Sequence, residues 1–364
     1  MRTQSTAQRI DTGAGKGTRL LALALGMVLA VLVAMIGLTE REAQAALTEK
    51  IVFDSNRTTG AGVNNPTGDY EVFKMNPDGT GVKQLTANKI DDYRASLSPD
   101  GRKVVYQSYG KQTSNPQGDG EIYVMNALDG SSKKNLSNTG AGVSDAYPIF
   151  SPDGKMVAYR SDGKQTSNPE GDEEVYRVNV LDGTGKKNLT NTGEGIDDYA
   201  AAFTPGGKRI AYTTYGKRAS NPEGDEEIYR MSALDGAGKT NLTNNADDDY
   251  GPVFSPDGTK IAYQSYGVQP TNLEGDSEVY VMNADGSGPK NLTNNGVDVF
   301  DLEPVFSPDG LKIVYESVGV QHANSEGDSE IYSMIAADGS GQTNLTNNGT
   351  DVQDYSPDWG RQAT

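Results

Sequence analysis

Two series of aspartates recur along this 364-residue chain, and both stand where carboxylates can do chemistry. One precedes a short apolar run in each repeat: Asp92, Asp145, Asp198, Asp249, Asp301 and Asp354. The other follows a glycine: Asp69, Asp119, Asp172, Asp225, Asp276 and Asp328, at intervals of 50, 53, 53, 51 and 52 residues. Carboxylates so arranged have three uses. They collect a hard cation such as calcium, which takes about six to eight oxygen ligands. As a pair in unlike surroundings, they run acid/base chemistry on a glycosidic bond. Or each accepts local hydrogen bonds and fixes the entry of a strand.

Other chemistries find little support. The chain has no cysteine and one histidine, His322, in a segment where the other copies carry Thr113, Thr166, Ala219 and Thr271. That pattern reads as a surface substitution, and it supplies no histidine-rich metal site. No Gly-x-Ser-x-Gly elbow occurs, and the glycines of "TGAGKGT" miss the spacing of a phosphate loop. The five Asn-Leu-Thr/Ser tripeptides match glycosylation acceptors, but they fall on a predicted outer strand and recur with it. Near-identity of the copies favours binding through a broad rim over catalysis, which needs carboxylates in unlike environments.

The elements that must position these residues are short strands. In residues 249–293 four candidates appear, "GPVFS", "KIAYQS", "EVYVMN" and "KNLT", with "SPDGT" between the first two and "ADGSG" between the last two. Asp-Gly between strand patterns is a strong hairpin signal. Both faces of "EVYVMN" are apolar, as expected of a sheet sandwiched between neighbours. Repetition at about 50 residues with four strands per copy predicts an all-β, six-bladed β-propeller of four-stranded antiparallel blades. Its two ends complete each other. "DYSPDWG" near the C-terminus is a first strand without its other three, and "KIVFDSNR" from Lys50 begins at strand two. The C-terminal strand is therefore expected to join the N-terminal blade and close the ring, with Trp359 packing where Phe254 and Phe306 pack.

The first 45 residues differ in kind. Arg2, Arg9, Lys16 and Arg19 precede the apolar run from Leu20 to Gly37, and Ala43-Gln44-Ala45 follows as a processing site. This order predicts a signal peptide over residues 1–45, or an N-terminal membrane anchor if it is uncleaved, and a propeller over 46–364. The leader holds 5 of the 32 Lys/Arg and 3 of the 50 Asp/Glu, which leaves 27 and 47 and a net charge of about −20. Such a field disfavours nucleic acid and anionic lipid and favours cations and basic protein surfaces.

The phrases "SPDGTKIAY", "EVYVMNADGSG" and "KNLT" resemble the repeats of TolB-type propellers, the WD40-like Pro-Asp repeat family, in six copies from about residue 50 to residue 360. The resemblance implies the propeller fold and a protein-docking role in the cell envelope. TolB's separate N-terminal α/β domain has no room between Ala46 and Lys50, so the resemblance stops short of the Tol-Pal system. Related propellers precede prolyl-oligopeptidase-type hydrolase domains, and oligogalacturonate lyases use several histidines that this sequence lacks.

The expected function is an exported, non-enzymatic protein-binding or scaffolding propeller, periplasmic, envelope-associated or extracellular. It is expected to act as a monomer, and its contact with membrane is limited to the N-terminal segment. Long loops between strands two and three share one face with the crossings between blades, and that face is the expected contact surface. Asp92, Asp145, Asp198, Asp249, Asp301 and Asp354 form the candidate collar around the channel mouth. Asp119, Asp172, Asp225, Asp276 and Asp328 are the candidate loop contacts. The expected partner is a protein or cell-wall component with a basic surface. No cofactor is required, and calcium at the collar is an optional ligand. The alternative is a carbohydrate-active enzyme, glycosidase or lyase, that uses carboxylates of the same face.

Overall fold

A computed structural model describes residues 47–363, so the leader lies outside the described residues. These residues form six four-stranded antiparallel sheets and no helix. Blades two to six run consecutively over 92–135, 144–188, 197–241, 248–291 and 300–344, each laid out in chain order from the inside outwards. Blade one is the exception. Its inner strand is Asp354–Ala363, paired with Leu47–Ser55, which pairs in turn with Glu71–Met75 and Lys83–Gln84. The expected closure by the C-terminal strand is thus present. Gln353 N–H donates to Asn56 Oδ1 at 2.9 Å beside it. Trp359 packs with Ile51, Phe53, Phe73 and Met75 of the same blade and with Val314 and Ile331 of blade six.

Both faces of each blade are apolar because each packs against a neighbour. Val52, Val72 and Leu85 of blade one share a core with Val104, Tyr106, Tyr123 and Met125 of blade two, and the pattern repeats around the ring. Facing aromatic pairs on the two middle strands, such as Tyr106 with Tyr123 and Tyr263 with Tyr280, both 5.8 Å between centroids, hold this layer in register. The phenol of the third strand then anchors the long loop, as in the 2.8 Å contact between Tyr123 and Ser114.

Inner strands are bulged. In blades two to six the pairing with the second strand slips midway, between Tyr93 and Ser96 in blade two and between Leu302 and Val305 in blade six. The residue within each bulge has positive φ: Arg94 (52°), Tyr147 (56°), Ala200 (49°), Gly251 (64°) and Glu303 (52°), with Ser356 (51°) at the equivalent place in blade one. A bulge re-aims a side chain, and these six turn toward the central channel.

Candidate functional site

The six aspartates expected at the channel mouth are buried, each 0–1% exposed. They do not form an open collar. Each sits in a polar joint between consecutive blades. At the joint from blade five to blade six, Asn295 Nδ2 donates to Asp301 Oδ2 at 2.6 Å and Ser317 Oγ to Oδ1 at 2.5 Å. Asn295 N–H donates to Glu278 Oε1 at 3.1 Å, Thr293 Oγ1 bonds Glu278, and Val279 N–H donates to Thr293 Oγ1 at 3.0 Å. Most of this set recurs at Glu330, Thr346, Asn348 and Asp354, and part of it at Glu71, Thr86, Asn88 and Asp92, where one oxygen each of Glu71 and Asp92 has no partner. These aspartates fix strand entry, mainly through side-chain donors. Burial pushes the carboxyls of Asp145, Asp249 and Asp301 up to about 7 and that of Asp92 to about 6. Arginine joins two of the joints. Arg57 Nη2 reaches both oxygens of Asp354 at 2.7 and 2.8 Å, and Arg218 lies 3.4 Å from Asp198.

The Gly-Asp series lies in the long loops, as expected, yet its carboxylates do not form a contact surface. Both oxygens of Asp119, Asp172, Asp225, Asp276 and Asp328 are sealed from solvent with no hydrogen-bond partner. The loops are knit by their own asparagines: Asn272 Nδ2 donates to Asp276 O at 2.6 Å, and Gly275 N–H to Asn272 Oδ1 at 3.0 Å. Equivalent bonds hold the loops at Asn65, Asn115, Asn168, Asn221 and Asn324. Solvent meets instead the glutamates two positions earlier, Glu170, Glu223, Glu274 and Glu326, together with His322. The Asn-Leu-Thr/Ser asparagines are engaged too, for example Asn135 Nδ2 to Ser114 O at 3.0 Å.

Sequence reasoning expected the central channel but missed the residues that line it. The six bulge residues, two positions after each buried aspartate, are Arg94, Tyr147, Ala200, Gly251, Glu303 and Ser356, all different. Their backbone N–H groups meet a second ring donated by the preceding blade. Arg94 N–H donates to Asp54 at 2.8 Å, Tyr147 to Gln107 at 3.0 Å, Gly251 to Thr213 at 3.1 Å, Glu303 to Gln264 at 2.7 Å and Ser356 to Glu316 at 3.4 Å. The sixth member of that ring is Arg160, which has no acceptor; it pairs with Glu173 at 2.6 Å. Arg94 forms an ion pair with Glu303 and lies 3.9 Å over the ring of Tyr147. Burial, and then the charge of Glu303, push Glu316 up to about 8. A cavity of about 200 Å³ follows this ring, walled by Tyr147, Tyr199, Tyr250, Pro252 and Pro304. At its loop-face end Tyr70 stands 5.0 Å from Tyr93 and 5.4 Å from Tyr355, and Tyr93 stands 6.3 Å from Tyr109. The available signal was inverse to the repeat: one position that differs in every copy.

No family model matches the chain. It is 28% identical to the TolB homolog of Chlorobaculum tepidum over 225 residues, which cover 59% of this chain and 47% of that protein. It is also 28% identical to dipeptidyl-peptidase 5 of Porphyromonas gingivalis over 274 residues, 64% of this chain and 38% of that one. The matches thus span less than half of these curated relatives. Among solved structures, TolB from Acinetobacter baumannii superposes with a TM-score of 0.63 at 22% identity, over 85% of this chain and 66% of that one. The chain is thus a six-bladed β-propeller that is similar in sequence to TolB homologues and shares the fold of TolB.

Proposed function

We propose that the chain is an exported, protein-binding propeller of the cell envelope that engages its partner at the loop-face mouth of the channel. One observation carries the reading. On a scaffold of near-identical blades the side chains become unlike where they enter the channel, at Arg94, Tyr147, Ala200, Gly251, Glu303 and Ser356. Left-handed backbone at a non-glycine residue costs about 1 kcal/mol or more. Five of the six positions nevertheless carry a side chain there. An asymmetric ring bordered by tyrosines reads one partner in one orientation, with aromatic anchors of the kind that dominate interfaces. The exposed glutamates of the loops surround this mouth with negative charge and favour a basic protein or cell-wall partner. Likeness to TolB homologues supports the envelope, and the arginine-led apolar leader supports export.

The test is capture from an envelope extract by the full chain. A defined partner should be retained by wild type and lost on Tyr93→Ala with Tyr355→Ala. Retention should weaken with salt, and weaken again when Glu170, Glu223, Glu274 and Glu326 become Gln. Capture that ignores the tyrosine substitutions refutes the reading.

Glu303 and Glu316 favour a second reading, a carbohydrate-active enzyme, because their surroundings differ: one is paired with Arg94, the other lifted to about 8. Against it, Glu316 Oε1 already accepts from Ser329 Oγ at 2.9 Å and Oε2 from the Ser356 N–H. Turnover on a glycan panel that Glu303→Gln abolishes would establish the enzyme in place of the binding module.

A further inference from the structure

The long loop of each blade from two to six closes over a carboxylate whose two oxygens accept no hydrogen bond within bonding distance; only their own backbone N–H groups, and that of Val299 for Asp276, lie near enough to draw the Asp276 and Asp328 carboxyls down. Asp276 and Asp328 are the most enclosed, 5% and 9% exposed, with both oxygens unpartnered. An ionised carboxylate without a partner is among the costliest groups a protein can bury. The neighbouring charges add to the cost. Around Asp276 they are Glu274 and Asp298, and around Asp328 they are Glu326, Asp354 and Asp351, all negative. Glu274, Asp298, Glu326 and Asp351 are exposed at the loop surface. Asp301 makes a contrast, since both of its oxygens already accept from side-chain donors.

We propose that the loops of blades five and six each bind a calcium ion on Asp276 and Asp328, with Glu274 and Asp298, and Glu326 and Asp351, as the outer carboxylates. Calcium fits better than magnesium because it accepts many oxygens in loose geometry, whereas magnesium demands a tight octahedron. Among the described residues no three carboxylates converge closely enough to enclose an ion unaided. Loop carbonyls and water therefore complete the shell, and the dissociation constant falls in the weak range of extracellular modules, about 10⁻⁴ to 10⁻³ M. Asp119, Asp172 and Asp225 repeat the motif with less enclosure. The proposal does not depend on the partner-binding role, and its test uses no partner.

The experiment is equilibrium dialysis of the full chain against radioactive calcium up to about 5 mM, with melting curves in chelator and in calcium. Wild type should take up at least two ions saturably. At ten times the dissociation constant, each occupied site should multiply the folded-to-unfolded ratio by about 11. Asp276→Asn with Asp328→Asn should bind two ions fewer and, in chelator, melt no lower than wild type, because it loses two unpartnered charges. Should the double variant fail to fold, the single variants replace it, each short of one ion. Absence of saturable uptake by wild type, or uptake unchanged by the substitutions, overturns the proposal.

Discussion

Replacing Arg57 with alanine should open the ring at its seam. The guanidinium holds both oxygens of Asp354, donates from Nε to Ser55 Oγ at 2.8 Å, and lies 5.1 Å from the ring centroids of both Phe53 and Phe73. Without it, Asp354 remains fully buried, with only neutral donors left to it, Asn348 and the nearby hydroxyls of Ser55 and Thr346. Breaking a buried pair from one side costs about 3–5 kcal/mol, because a charge is left uncompensated. For a domain of this size that corresponds to a melting point lower by roughly 4–8 °C. Adding Asp354→Asn to Arg57→Ala removes the stranded charge. The double variant should then be less destabilised than the sum of the singles by about 2–3 kcal/mol. Arg57 draws the Asp354 carboxyl down against the upward push of burial. Its loss raises that carboxyl further, so Arg57→Ala should approach wild type as pH falls and Asp354 protonates. Urea unfolding at pH 8 and pH 5 measures both effects. A loss under about 1 kcal/mol at pH 8, or additive singles, would refute the role assigned to this seam.

Three further outcomes follow from the same geometry. Folded Asp145, Asp249 and Asp301 titrate at about 7 and Asp92 at about 6, above the ordinary value near 4. The folded chain therefore holds more protons than the unfolded one between about pH 4 and 7, and stability should fall as pH rises through that window, by up to about 1.4 kcal/mol per pH unit for each such group. A flat or rising melting point from pH 5 to 7.5 contradicts this. Trp359→Ala should cost about 3–5 kcal/mol in denaturant unfolding, whereas Leu181→Ala, at a residue 88% exposed, should stay within about 0.5 kcal/mol. Arg94→Leu should abolish partner capture and cost about 1–3 kcal/mol of stability, since the guanidinium is mostly enclosed and also offsets the buried carboxyls of Asp54 and Glu316.

Local signals carried the fold a long way. Asp-Gly turns between apolar runs specify the hairpins, and the incomplete phrase ending at Gly360 specifies the seam, because both depend on short-range chemistry repeated six times. The chemistry of Asp92 and its counterparts was legible in part. Their role at strand entry follows from position, but their burial depends on how Glu, Thr and Asn side chains of the preceding blade and its crossing converge on them, which residue types alone do not reveal. The Gly-Asp carboxylates were placed on the correct loops and wrongly assumed to face solvent, because the asparagine that folds each loop over them acts through backbone bonds that residue types do not reveal. The channel ring was hidden for the opposite reason. Arg94 and Glu303 look like drift in a linear alignment of repeats, and they become neighbours when the sheet curves through a full circle.

That circle also sets an order of events during biosynthesis. Arg57 and Asp354 lie 297 residues apart in the chain, so the first blade has to wait for almost the entire polypeptide to be made. At ribosomal speeds of about 5–20 residues per second the delay is roughly 15–60 s. Throughout it, the strand from Leu47 to Ser55 carries an unpaired inner edge. The seam of the ring thus stays open until residues 354–363 emerge.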